Sequence, residues 1–273
     1  MRAMVFAAGL GTRLRPLTDD RPKALVTIAG RTLLDITLSR LRTFGVREAI
    51  VNVHHFANQV VAYLAANQNF GMRIEVSREE VLLDTGGGLK KAAWFFLESG
   101  ADASQPFLIH NVDVLSTIDL AGMVEFHQQH NAMATLAVAE RSTSRPLLFD
   151  ANGQLRGRGA ANKNFSARRH RKSPDPHIAA GGVDAASTAG LETGATSLGT
   201  MAFAGIHVVS PRIFVKLKEE GAFSIIDAYV RHAAEGETIL GFRADGAYWR
   251  DLGRPNDLIA AERDVMSGDY PTS

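Results

Sequence analysis

The chain has 273 residues, with 30 Lys and Arg against 29 Asp and Glu and a formal net charge of +1. A balance so close to neutral argues against nucleic acid as a partner, because proteins that bind the phosphate backbone carry a basic excess. Hydrophobic residues at 45% and charged residues at 22% allow a sizeable core, and the absence of cysteine excludes disulfides, thiolate metal sites and thiol nucleophiles. Short apolar runs alternate with stretches of helical period, the pattern of βαβ units. The fold class expected is therefore α/β: one Rossmann-like domain over residues 1–273, with a central mixed, mostly parallel sheet flanked by helices.

Residues 4–8 (MVFAA) read as a buried strand, and Leu34, Leu38, Leu41 and Phe44 fall at helical spacing ahead of Gly45, a C-cap. Strands are expected at 49–53 and 74–76, with a helix carried by Phe56, Val60, Val61 and Leu64 between them and an aromatic-rich helix over 89–97. Residues 107–114 (FLIHNVDV) close this half as one buried strand. Next come a helix over 119–130, a strand over 135–139 and a hairpin turning on Asp150, Ala151, Asn152 and Gly153. The alternation fails from 156 to 199, where Arg156, Arg158, Lys163, Arg168, Arg169, Arg171 and Lys172 precede a Gly/Ala/Ser/Thr-rich stretch. This segment is expected to be a mobile insertion, a basic lid that screens phosphates. Order resumes with a strand over 200–209, helices over 212–219 and 225–234, a strand over 239–243, the segment 248–253 and a final helix opened by Pro255.

Ala7, Ala8, Gly9, Leu10, Gly11, Thr12 and Arg13 directly follow the first strand, where glycine lets backbone N–H groups cradle an anion. A dinucleotide fingerprint needs a third Gly or Ala and an immediate helix, but this chain has Leu14 and then Pro16, which disfavours an NAD-dependent oxidoreductase. The G-K-[ST] end of a Walker A loop is missing as well. A tight turn without a ligand explains the glycines but not the two cations, Arg13 and Lys23, on a long loop returning to the sheet. Asp113 lies near the C-terminal end of an apolar strand, where open α/β sheets place their ligand crevices. His54 with His55, and His127 with His130, are pairs without a third ligand, so zinc is not indicated.

The run A-A-G-L-G-T-R-L-R-P-L-T, with R-P-K-A-L downstream, resembles the signature of the sugar-1-phosphate nucleotidyltransferases. Leu83 to Gly88 (LDTGGG) is similar to the family's L-E-T-G-G-G element, and Asn111, Val112 and Asp113 stand where it has N-G-D. Residues 203–206 (FAGI) and 249–253 (WRDLG) resemble its F-x-G-I strand and W-x-D-x-G segment. The resemblance spans about residues 1–155 and 200–265 and implies the nucleotide-diphospho-sugar transferase fold. It implies that Ala7, Ala8, Gly9, Gly11, Thr12, Arg13, Glu79 and Gly86 bind a nucleoside triphosphate. Lys23, Thr85, Gly87, Asn111, Gly205 and Asp227 would contact the sugar phosphate, Asp113 and Asp251 would hold Mg²⁺, and Arg13 and Lys23 would be the catalytic cations.

Within the family, the triple glycine, the chain length and the absence of a C-terminal β-helix extension resemble the N-acetylmuramate-1-phosphate uridylyltransferases of cell-wall recycling. The related mannose-1-phosphate guanylyltransferases, glucose-1-phosphate or other hexose-1-phosphate enzymes and phosphocholine cytidylyltransferases stand as alternatives, as does a non-catalytic regulatory protein that binds nucleotide sugars. Val112 in place of glycine and Arg254 after Gly253 depart from the pattern. MRAMVFAAGLG lacks the pattern of a signal peptide, so a cytoplasmic protein is expected, without membrane or nucleic-acid partner and as a monomer or small homo-oligomer.

Overall fold

The computed structural model describes residues 1–98, 104–160 and 199–270. The N-terminal half contains strands β1 (Arg2–Phe6), β2 (Thr27–Ile28) and β3 (Arg31–Thr32), helix α1 (Leu33–Phe44), strand β4 (Glu48–Val53), helix α2 (Ala57–Ala66) and strand β5 (Arg73–Arg78). Helices α3 (Asp84–Lys91) and α4 (Ala93–Leu97), strands β6 (Phe107–Asn111) and β7 (Val114–Ser116) and helix α5 (Leu120–Gln129) follow. Strands β8 (Ala134–Ala139), β9 (Leu147–Phe149), β10 (Leu155–Arg158) and β11 (Gly199–Val209) come next. Helix α6 (Ile225–Ala234), strands β12 (Ile239–Arg243) and β13 (Trp249–Asp251) and helix α7 (Pro255–Ser267) complete the described chain.

The main sheet has nine strands in the order β10-β9-β11-β6-β1-β4-β5, with β8 joined to β11 and β12 to β8. β1, β4, β5, β6, β8, β9 and β12 run in one direction, and β11 and β10 run against them. β1 shows why its sequence is apolar throughout. Ala3 and Val5 pack on one face with α1, α2, α5 and α7, while Met4 and Phe6 pack on the other with α3, α4 and α6. A strand covered on both faces loses its alternation and reads as a continuous hydrophobic run. Local signals agree at α1, where the Thr32 hydroxyl accepts from the Asp35 N–H at 3.0 Å and Gly45, at φ 105°, ends the helix.

The chain leaves β1 for β4 and β5 on one side and returns to β6 on the other. That reversal puts a crevice at the C-terminal ends of β1, β4 and β6, the place where open α/β sheets bind ligands. Residues 7–26 fill the passage from β1 to β2 and contribute only two short 3-10 turns, Thr12–Leu14 and Lys23–Leu25.

Several expected elements differ. The strand expected over 107–114 breaks after Asn111, and β7 leaves the main sheet to pair with β13. The helix expected over 212–219 is a 3-10 turn, Pro211–Val215. The helix expected over 89–97 begins earlier, because α3 starts at Asp84 and contains the triple glycine; Ala92 then divides α3 from α4. In the aromatic run, Phe95 and Phe96 are buried, but Trp94 is exposed on the outer face. The hairpin over 150–153 is present as the β9–β10 turn, and β10 and β11 claim both ends of the expected insertion. Lys163, Arg168, Arg169, Arg171 and Lys172, with the remainder of that segment, lie outside the described residues.

Candidate active site

Three adjoining cavities open along the crevice. The central one, about 310 Å³, is lined by Gly9, Gly11, Thr12, Arg13, Lys23, Thr85, Asn111 and Asp113. Beside it, under Ala8 and Gly9, a second is walled by Asn52, Glu79, Asp84 and Thr85. A third, on the far side of Asp113, reaches Arg141, Phe203, Gly205, Trp249 and Asp251. Residues from both ends of the sequence therefore meet in one cleft.

Pairing of β7 with β13 brings the two aspartates together. Asp251 stands opposite Val114, the neighbour of Asp113, and the Leu252 N–H donates to the Asp113 carbonyl at 2.8 Å. The Lys23 ammonium, buried to 7% exposure, forms an ion pair with the Asp113 carboxylate. Arg13 reaches the same place from the glycine loop. A Cβ on Gly253 would come within 2.5 Å of the Arg13 guanidinium and 3.0 Å of Asp251 Oδ1, so the guanidinium and that carboxylate share one small space. Burial holds the Asp251 carboxyl above the usual carboxylate range, and the Asp113 charge adds to the rise against the opposing pull of Lys23 and Arg13.

Among the described residues no group of three or more His, Asp or Glu could enclose a metal. Two converging carboxylates nonetheless fit a hard divalent cation that fills its remaining positions with water and substrate phosphate. The four His named as pairs serve elsewhere: His54 and His130 bond the backbone carbonyls of Glu79 and Phe126, His127 bonds Thr135, and the His55 ring lies on Phe56.

The glycine loop is held from behind by a relay that sequence reading missed. The buried Asn52 accepts from the Ala7 N–H at 2.8 Å and donates to Glu79 Oε1 at 2.7 Å, and Glu79 Oε2 accepts from the Leu83 N–H at 3.0 Å. Ala7 and Glu79, expected at the nucleotide, line the central and second cavities, and they also hold the loop, since the Ala7 amide and both Glu79 carboxylate oxygens take part in this relay. Asn52 gave no signal in sequence, being one polar residue in an apolar strand.

Gly86 and Gly87, expected at the nucleotide and the sugar phosphate, both donate to the Phe223 carbonyl, at 2.8 and 3.4 Å, and line none of these three cavities. A Cβ on Gly86 would overlap the Phe223 ring and stand 2.8 Å from the Phe223 carbonyl oxygen. These glycines seat α3 against the segment before α6, and the Thr85 hydroxyl strengthens that joint by accepting from the Ile225 N–H at 3.0 Å. Gly86→Ala is accordingly expected to cost about 1–3 kcal/mol through overpacking. Thermal melting checks this, and an unchanged midpoint would contradict the joint.

On the acceptor side, Asn111 lies between the central and third cavities. Gly205, at φ 79°, forms the irregularity in β11 where pairing with β8 shifts register, and a Cβ there would press on Asn111 and Val114. Asp227, expected at the sugar phosphate, is exposed at the start of α6, outside these three cavities, and pairs with Arg158 at 2.6 Å. Val112 is buried in the apolar core where it borders the central cavity, and its N–H donates to the Phe6 carbonyl at 3.1 Å.

The nucleotidyl transferase family profile matches residues 2–149. The N-acetylmuramate alpha-1-phosphate uridylyltransferase of Caulobacter vibrioides is 33% identical over 269 residues, 95% of each chain. A mannose-1-phosphate guanylyltransferase of Mycobacterium tuberculosis is 26% identical over 271 residues, covering 99% of this chain and 66% of the relative. A crystal structure of UDP-glucose pyrophosphorylase complexed with UDP-glucose superposes with a TM-score of 0.71 over 98% of both chains, at 15% identity, so the nucleotide-diphospho-sugar transferase fold is shared. No described helix is long and apolar enough to cross a membrane. With the profile covering more than half its length and a relative matched nearly end to end, the chain belongs to the nucleotidyl transferase family.

Proposed function

We propose that the protein transfers a nucleotidyl group from a nucleoside triphosphate to a sugar 1-phosphate, with UTP and N-acetylmuramate 1-phosphate as its pair. The observation that carries this is the convergence of Asp113 and Asp251 with Lys23 and Arg13 beside the glycine loop. The choice of sugar rests on the Caulobacter relative.

In the reaction, a phosphate oxygen of the acceptor attacks the α-phosphorus in line, and the bond from that phosphorus to the bridging oxygen of pyrophosphate breaks. The nucleophile needs no base, because a phosphate monoester has its second pKa at about 6 and is already dianionic near neutrality. The protein's work is to bring two anions together and to hold charge that shifts toward the leaving group. Amides of the exposed stretch around Gly9 and Gly11 receive the triphosphate. Arg13, with its planar fork, takes the β- and γ-phosphates and stays with pyrophosphate as it leaves. Lys23, a compact charge anchored on Asp113, faces the α-phosphate and the incoming phosphate. Asp113 and Asp251 would hold Mg²⁺, which when bound neutralises phosphate charge. Cell-wall recycling in the cytoplasm is the setting this substrate implies.

The test measures pyrophosphate release with each of four nucleoside triphosphates against N-acetylmuramate, glucose and mannose 1-phosphates and phosphocholine. UTP with N-acetylmuramate 1-phosphate is expected to be preferred. A preference for GTP with mannose 1-phosphate would move the protein to the guanylyltransferases. Binding of a triphosphate without turnover on any acceptor would mark a regulatory protein.

A further inference from the structure

The third cavity holds more positive charge than an acceptor phosphate requires. Lys23 and Arg13 already stand at the Asp113 and Asp251 end, where that phosphate must lie to reach the α-phosphorus. Arg141, Arg145 and Arg158 line the remainder of the cavity. Arg158 is balanced by Asp227. Arg141 is not balanced in the same way: its guanidinium carbon lies 3.4 Å above the centre of the Trp249 ring, and one Nη donates to the Phe203 carbonyl. Its Nε–H is buried with no hydrogen-bond partner. Burial lowers its pKa to about 10, so it remains charged at neutral pH, and Asp251 is the carboxylate whose field reaches it. Arg145 is exposed, and among the described residues its side chain has no partner. The Trp249 indole donates to the Ala204 carbonyl at 2.8 Å, which fixes the ring on which Arg141 rests.

A guanidinium held flat on an aromatic ring, withdrawn from water and short of acceptors, is preorganised for a planar anion. A carboxylate matches the charge and planar shape of a guanidinium held in this way. We propose that Arg141, stacked on Trp249 and assisted by Arg145 at the mouth of the cavity, determines acceptor specificity by reading a carboxylate on the sugar. The proposal rests on the nucleotidyl-transfer reading and deepens it, since it assigns recognition of the sugar's acidic group to residues outside the phosphate-binding set.

The decisive comparison uses N-acetylmuramate 1-phosphate and the same compound with its carboxylate converted to a carboxamide. Wild-type kcat/KM is expected to favour the acid by roughly 10- to 100-fold, mostly through KM. In Arg141→Gln that ratio should fall to near one, and in Arg141→Lys, which keeps charge without the fork, it should be intermediate. Arg145→Gln, an exposed change that does not threaten folding, should reduce the ratio by a smaller factor. A merely structural Arg141, or one that reads the acceptor phosphate, would lower both acceptors alike and leave the ratio intact, which overturns the assignment. Equal turnover of acid and amide by the wild type also overturns it while leaving nucleotidyl transfer standing. Absence of pyrophosphate release with every acceptor would strike the enzymatic reading instead. Calorimetric binding of the two compounds then decides: preference for the acid in wild type, lost in Arg141→Gln, supports the assignment, and equal affinities reject it.

Discussion

Asp251→Asn is expected to abolish most turnover and at the same time make the protein more stable. Loss of one of the two carboxylates should lower kcat by about 10²–10³-fold, the scale for removing one preorganised electrostatic group. Stability moves the other way because burial and the Asp113 charge raise the folded-state pKa of Asp251 above its unfolded value. Below the unfolded pKa, about 4, the carboxyl is protonated in both states and costs nothing. As pH rises through the folded pKa, the native state must carry an unfavourable charge, and the wild type loses stability relative to the neutral amide. The variant should therefore melt about 1–4 °C higher at pH 7, and the gap should close toward pH 4. Added Mg²⁺ should raise the wild-type midpoint and leave that of Asp251→Asn nearly unmoved, a readout independent of catalysis. A variant that melts lower than wild type at pH 7, or one with full activity, would refute the placement of this carboxylate.

Lys23→Ala carries the second large effect, in rate and stability together. Sequence reading treats Lys23 as a cation on a long loop that returns to the sheet. Its burial at 7% exposure and its ion pair with Asp113 change that expectation. Without the ammonium, two neighbouring carboxylates face each other with only Arg13 beside them, and the transferring phosphate loses its nearest compact charge. Because Asp113 keeps 25% side-chain exposure and can be partly rehydrated, the stability loss should be about 1–3 kcal/mol, below the full cost of breaking a buried pair. Turnover should fall by about 10³-fold under saturating substrate. Lys23→Arg is not expected to rescue it, since a guanidinium is broader than the ammonium buried beside Asp113. Denaturant melts and single-turnover kinetics together test the claim, and a variant that is destabilised yet turns over normally would remove Lys23 from the reaction.

While the two aspartates were pointed to only by resemblance to the family, the sequence by itself determined the α/β alternation and the glycine loop with its two cations. Those features are local: they depend on apolar runs, on Gly9 and Gly11 after a strand, and on charges unusual for their positions. Family resemblance named the aspartates as a pair, but their meeting is a property of the β7–β13 ladder, which joins segments distant in the chain. Only the tertiary structure decided what the glycines and polar residues around the cleft do. Resemblance to the family places Gly86, Gly87 and Glu79 at the ligands, and no local pattern shows that they also bond to Phe223, Asn52 and Leu83, because a buried N–H or carboxylate must find a partner and the nearest ones here are protein atoms distant in sequence. Arg141 was invisible for the converse reason: an isolated arginine ordinarily lies in solvent, and its place over Trp249 is set by packing between residues that share no local pattern.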